Sequence, residues 1–244
     1  MLSVILFGSA ATGGFVEISD VDLLFVLRDG ASPNDQKRIH CDITNLETVY
    51  GFGGHGAKGQ TVLETLFEKV TANHRSILVC NREDFLSGNV ARILRVRPAQ
   101  ALFVDRIVIP SICSSSVTLW GEDLVTQVSI APIRRFDVLK SFYSLSNQVI
   151  VSAVFFLFLP KATKYAMSAL KASVHSCFFC YHARRASLDE EIDFFSRRYG
   201  SSRALKQLLE LRRAYAKSFR FVLLCIPTLA RLHLRTALDA PFGA

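Results

Sequence analysis

The sequence predicts an α+β domain over residues 1–130, with a mixed, twisted sheet and flanking helices, followed by a helical bundle over residues 131–244. Three observations carry that expectation. Short β-rich apolar runs separated by Gly-containing turns fill the front part, whereas apolar residues at helical spacing dominate after Pro132. Charge shifts at the same place: residues 1–130 hold 11 Lys/Arg against 14 Asp/Glu, and residues 131–244 hold 18 against 7. Half of the 244 residues are hydrophobic, only 20% are charged and 19 are Phe, a composition that excludes a disordered or low-complexity chain.

The elements follow in order. Val4 to Phe7 reads as a first strand, and Val21 to Leu27 as a second of similar apolar character. Asp29-Gly30 and Ser32-Pro33-Asn34-Asp35 mark a turn. Ile39 to Thr44 alternates, with Ile39, Cys41 and Ile43 on one face and His40, Asp42 and Thr44 on the other, which predicts a third strand. A glycine-rich loop at 51–56 precedes a helical stripe over Gln60 to Val70, and Ser76 to Cys80 predicts a fourth strand. Beyond Pro132 the spacing predicts helices over 133–158, 162–184, 188–199 and 202–235, punctuated by Pro160, Ser187 and Gly200-Ser201-Ser202, with a kink at Pro227.

Six scattered cysteines among apolar neighbours read as reduced core thiols. The longest apolar run, Val149 to Pro160, is interrupted by Ser152 and falls short of the roughly 20 residues a bilayer span needs, so no transmembrane helix and no membrane partner are expected. Without a basic segment before its first apolar run, the chain is expected to be cytoplasmic.

The stretch from Phe7 to Leu27 carries the chemistry. Asp20 and Asp22, two apart on an extended strand, point to one face about 6 to 7 Å apart, where both carboxylates can converge on divalent cations. Close carboxylates repel each other unless a metal neutralises them. Upstream, Gly8-Ser9 leaves a strand and enters a turn. Its small side chains let phosphate oxygens approach backbone N–H groups.

Gly8, Ser9, Gly13, Ser19, Asp20 and Asp22 together reproduce the signature of the nucleotidyltransferases of the DNA polymerase beta superfamily, and over about 120 residues the chain resembles that family. The resemblance implies the nucleotidyltransferase fold, Mg²⁺ as cofactor, an NTP such as ATP as donor, and transfer of a nucleoside monophosphate to a hydroxyl acceptor with release of pyrophosphate. It implies Gly8, Ser9, Gly13 and Ser19 as nucleotide-binding residues. It also implies a third carboxylate on a neighbouring strand beside Asp20 and Asp22, for which Asp42 is the candidate and Glu47 the fallback. Leu119-Trp120-Gly121-Glu122-Asp123-Leu124 resembles a segment that often ends this domain in aminoglycoside adenylyltransferases.

A second reading comes from the Phe-rich segments 154–158 and 177–180. Exposed, they would suit an antitoxin-like or pseudoenzyme binding partner, forming a homo-oligomer or docking another protein through the helical domain. His175, Cys177, Cys180 and His182 fan around a helix axis and read as packing residues rather than metal ligands. Lys161, Lys164, Lys171, Arg184 and Arg185 line a helix whose basic edge could balance triphosphate charge, or could be a solvated surface.

Overall fold

The computed structural model describes residues 1–13, 21–49, 77–94 and 105–242, apart from the side chains of residues 47 and 48. Two compact units emerge: Met1–Leu102 with Ile112–Ala131, and Phe103–Ser111 with Pro132–Ala244.

In the first unit, strands β1 (Ser3–Phe7), β2 (Asp22–Leu27), β3 (Ile77–Asn81) and β4 (Val117–Gly121) form a sheet of order β3-β2-β1-β4. β2 pairs antiparallel with β1 and parallel with β3, which makes the sheet mixed. β4 pairs antiparallel with β1 across an irregularity at Val4/Ile5. In β1 burial alternates, with Ser3, Ile5 and Phe7 inward. The last four residues of β2, Leu24 to Leu27, are all buried, as expected for an interior strand covered on both faces.

The strand predicted over 39–44 is instead part of a helix, α1 (Pro33–Val49). The cause lies at its start. Asp35 Oδ2 accepts from Ser32 N at 3.1 Å and from Ser32 Oγ at 2.7 Å, and Ser32 Oγ accepts from Asp35 N at 3.1 Å. With Pro33 at the first helical position, the residues read as a turn are a helix cap, and the helix they launch overrides six residues of alternation. Gln36, buried one turn in, donates Nε2 to Asn81 Oδ1 at 2.6 Å and ties α1 to the end of β3. The helix expected over 60–70 lies outside the described residues.

Short helices α2 (Arg82–Leu86) and α3 (Val90–Ile93) follow β3. Asp29, just beyond β2, accepts at Oδ1 from Glu83 N at 2.8 Å and satisfies a free donor at the start of α2. A further short helix, α4 (Val108–Cys113), precedes β4.

The second unit is a bundle of α5 (Arg135–Val154), α6 (Ala162–His182), α7 (Leu188–Tyr199), α8 (Arg203–Arg213) and α9 (Phe219–Asp239). Its core gathers Leu145, Val149, Leu170, Phe178, Phe195 and Phe221. Each such side chain, taken from water, contributes about 1.5–3 kcal/mol before entropy is counted. Ser187 starts α7, accepting at Oγ from Glu190 N at 3.3 Å.

The single helix predicted over 202–235 is two. The break falls at 214–218, where Ser218 accepts at Oγ from Phe221 N at 3.2 Å and donates its own N–H to Thr163 Oγ1 at 2.9 Å. Pro227 is carried inside α9. With a mean hydropathy of 1.4 over 18 of its 21 residues, α9 is, by length and composition alone, long and apolar enough to cross a membrane. Counting uninterrupted apolar runs missed it because Pro227, Arg231, His233 and Arg235 divide the stretch. Its buried side, Phe221, Cys225, Leu229, Leu232 and Thr236, recurs every three to four residues as in a bundle helix.

Candidate active site

The site begins where β1 ends. Antiparallel register sets Phe7 opposite Asp22, so the residue after Phe7 meets the first side chain of β2. That residue is Gly8, with φ +72°, in the left-handed region. A Cβ built on it would overlap Asp22 Oδ2 and lie 3.1 Å from Asp22 Cγ. The Asp22 carboxylate therefore rests against the Gly8 backbone, in space only glycine leaves open.

From Gly8 the chain makes one helical turn. Thr12 N donates to Gly8 O at 3.3 Å, and Thr12 Oγ1 donates to Gly8 O at 3.2 Å. Gly13, with φ +73°, ends the turn on an exposed residue. Ser9 sits in this turn, half-buried and so open to a ligand. The sequence reading gave Thr12 no part in closing this turn; the signal was a hydroxyl residue four positions after Gly8.

Gly8, Ser9 and Asp22 are thus brought together, with Gly13 at the far end of the turn. Ser19 and Asp20 lie outside the described residues. Asp42 is on α1 and exposed, so the strand placement that recommended it as the third carboxylate does not hold. Glu47 belongs to the same helix, and its side chain lies outside the described set. Among the described residues, no three His, Cys, Asp or Glu side chains form a metal-holding group. At the Gly8 turn one carboxylate, that of Asp22, stands beside bare backbone and takes the space a Cβ would need; a divalent cation there would need Asp20, outside the described residues, as a second ligand.

Leu119 and Trp120, expected to end this domain, lie on β4 and are both 55% exposed.

Several titratable groups of the helical unit are engaged internally. His175 bonds through Nδ1 to Glu191 Oε2. Glu191 Oε1 also accepts from Ala186 N at 3.2 Å and faces Arg185 Nε at 3.4 Å. Burial raises the Glu191 carboxyl to about 7 and, with Arg185 next in weight, holds His175 well below its ordinary value. Arg185 donates onward to Ser111 Oγ at 3.2 Å, and Arg184 pairs with Glu190 at 3.1 Å. Cys177 is buried in the core, its thiol pushed up to about 12 by burial, while His182 packs on Phe178 with rings 4.3 Å apart. Of the two Phe-rich segments, 177–180 carries buried Phe178 and Phe179, whereas Leu157 and Phe158 are 83% and 70% exposed.

A second buried network links Asp105, Ser141, His233 and Ser173. Ser141 Oγ donates to Asp105 Oδ2 at 2.6 Å, His233 Nε2 lies 3.4 Å from Ser141 Oγ, and His233 Nδ1 lies 3.2 Å from Ser173 Oγ. Burial lifts Asp105 to about 6 and lowers His233 to about 4. The aligned groups resemble a relay, but Ser141 and His233 have no exposure to any substrate.

Residues 2–52, spanning β1, the turn, β2 and α1, match the family model described as a nucleotidyltransferase domain. No curated protein matches the chain. Among solved structures, the chain is similar to the spectinomycin adenyltransferase AAD(9) from Enterococcus faecialis, solved with ATP and spectinomycin. The match has 10% identity and a TM-score of 0.55, and it covers 96% of this chain and 91% of that one. It shows the fold: a nucleotidyltransferase-type α+β architecture continued by helices.

Proposed function

Starting from residues 2–52 as a nucleotidyltransferase domain, we propose that this enzyme moves a nucleoside monophosphate from an NTP, ATP foremost, to a hydroxyl of a small acceptor, releasing pyrophosphate. One observation carries the reading. Asp22 holds its carboxylate against Gly8, at the mouth of a turn that can seat phosphate oxygens.

In this proposal Asp22, with Asp20 two residues before it, holds Mg²⁺. The cation supplies charge neutralisation for the phosphates and acidifies the attacking hydroxyl. Ser9 and the Gly8 backbone grip the β and γ phosphates by hydrogen bonds, with Ser19 and Gly13 completing the nucleotide contacts. Asp42 is left out, because its case depended on a strand that is a helix. The likeness to an adenyltransferase solved with ATP and spectinomycin favours a small hydroxylated acceptor over an RNA end or a protein hydroxyl.

The test is incubation with ATP, Mg²⁺ and a panel of aminocyclitol and aminoglycoside acceptors, read by mass spectrometry. A gain of one nucleotide, lost in Asp22→Asn, is expected. No product from any acceptor, or unchanged transfer by Asp22→Asn, would reject the proposal.

A further inference from the structure

The turn between α5 and α6 puts its largest apolar side chains into water. Gln148 Nε2 on α5 donates to Tyr165 O on α6 at 3.1 Å, so the two helices run back along each other and residues 155–161 form the outer end of the pair. The turn is held by its own backbone. Phe158 N and Leu159 N both donate to Phe155 O, at 3.0 and 2.9 Å, and Leu159 and Ala162 are fully buried beneath it. With those two anchored inward, Val154, Phe155, Leu157 and Phe158 are left exposed, Leu157 and Phe158 most of all.

The link between α8 and α9 lies against the same end. Ser218 N bonds Thr163 near the start of α6, and Phe156 packs on Phe219 with ring centres 5.0 Å apart. Lys217 holds its Nζ 4.8 Å from the centre of the Phe156 ring. Arg213, Lys217 and Arg220, at and beside this link, are exposed, and Lys161 is half-exposed at the foot of the turn. Neither segment supplies a carboxylate: residues 138–188 and 211–238 contain no Asp or Glu, and Glu210 precedes the link on α8. This end of the bundle is an apolar knob ringed by cations.

We propose that it docks on an anionic lipid surface. Leu157 and Phe158 enter the boundary of the acyl chains, while Lys161, Arg213, Lys217 and Arg220 stay among the headgroup phosphates. Shape and charge choose this occupant. Leu157 and Phe158 stand on a protruding turn, so a protein partner would have to supply a pocket for them, whereas a bilayer yields to an apolar tip. A second copy brought end to end would set like charges against one another. A nucleic acid would use the cations and leave Leu157 and Phe158 in water. Attachment of this kind needs no spanning segment, so the length of apolar runs, from which no membrane partner was expected, does not bear on it.

Co-sedimentation of the full chain with vesicles of phosphatidylcholine alone, and of phosphatidylserine with phosphatidylcholine, at low and high sodium chloride tests this. The expected result is binding to the mixed vesicles that salt weakens. Leu157→Ser with Phe158→Ser should lower that binding by roughly tenfold or more. Lys217→Glu with Arg220→Glu should remove the preference for phosphatidylserine, by roughly fivefold or more for each cation. All four side chains are exposed or stand at the rim, so far-ultraviolet circular dichroism should stay unchanged in both variants. Failure of the full chain to bind the mixed vesicles overturns the proposal. So does binding that Leu157→Ser with Phe158→Ser leaves intact, which would assign the cations to a polyanion such as RNA. A doubled mass in sedimentation velocity that this variant abolishes, without vesicle binding, would also overturn it and assign the turn to a second copy.

Discussion

The Asp22 carboxylate lies where a side chain on Gly8 would have to go. The pairing of Phe7 with Asp22 across β1 and β2 creates that closeness, and the positive φ of Gly8 turns the chain away immediately afterwards. A motif spread over fifteen residues of sequence becomes a contact between neighbours.

Gly8→Ala tests the contact directly. The left-handed backbone costs a non-glycine residue about 1 kcal/mol, and the added methyl must push Asp22 aside. Displacing a catalytic group by about 1 Å costs roughly 100-fold in rate, so turnover should fall at least that far with a small loss in Tm. Wild-type kinetics in this variant would mean that the closeness has no catalytic use.

Asp22→Asn keeps the shape and removes the charge. With Mg²⁺ and ATP at about 100 times its Kd, the wild-type protein should gain about 2.7 kcal/mol of stability. Chelating the metal should remove most of that gain, and so should the substitution. Thermal-shift curves with ATP, with and without EDTA, measure it. An equal shift in Asp22→Asn would detach the metal from this residue.

The buried network around Asp105 predicts a dependence on pH. Its carboxyl is raised from 3.8 to about 6, so between those values the folded protein holds a proton that the unfolded chain releases. Stability from this group is therefore present below about pH 4 and is lost as pH rises through 6, by on the order of 3 kcal/mol. Asp105→Asn lacks that dependence. Its stability relative to wild type should climb between pH 4 and 6 and then level off, as read by urea unfolding at several pH values.

Glu191 is the acid on which His175, Arg185 and the Ala186 amide converge. Glu191→Ala leaves Arg185, with 10% of its side chain exposed, without its buried carboxylate. Removing one partner of such a pair costs about 3 kcal/mol or more. Denaturant titration should show that loss. A change below about 0.5 kcal/mol would make the pair incidental.

What the sequence made legible follows from signal length. The helix predicted over 188–199 matches α7 because it shows Ser187 before an acidic first turn and Gly200 after its end. The nearness of Gly8 and Asp22 was legible because two strands close in sequence bring them together. Asp42 was misplaced because Ser32-Pro33-Asn34-Asp35 serves a turn and a helix cap equally well, and only Gln36 reaching Asn81 reveals which one it became. Pro227 was given a kink, while the true break followed from Ser218 and Thr163, two residues that sequence distance keeps apart.

The order of strands in the sheet also sets a timetable. β1 is made first, yet one of its neighbours, β4, is among the last parts of its unit to be synthesised. The parallel β2–β3 pairing waits for the chain between Asp29 and Glu83, which stand 54 residues apart, to be made. Non-local pairings of this kind form slowly, because the chain must surrender loop entropy before any contact repays it. On the ribosome, Gly8 and Asp22 can meet early as a bare hairpin, long before the flanking strands arrive to hold it. Nascent chains stalled before residue 117 should therefore carry an unfinished edge, and they are the form most exposed to chaperones and to aggregation.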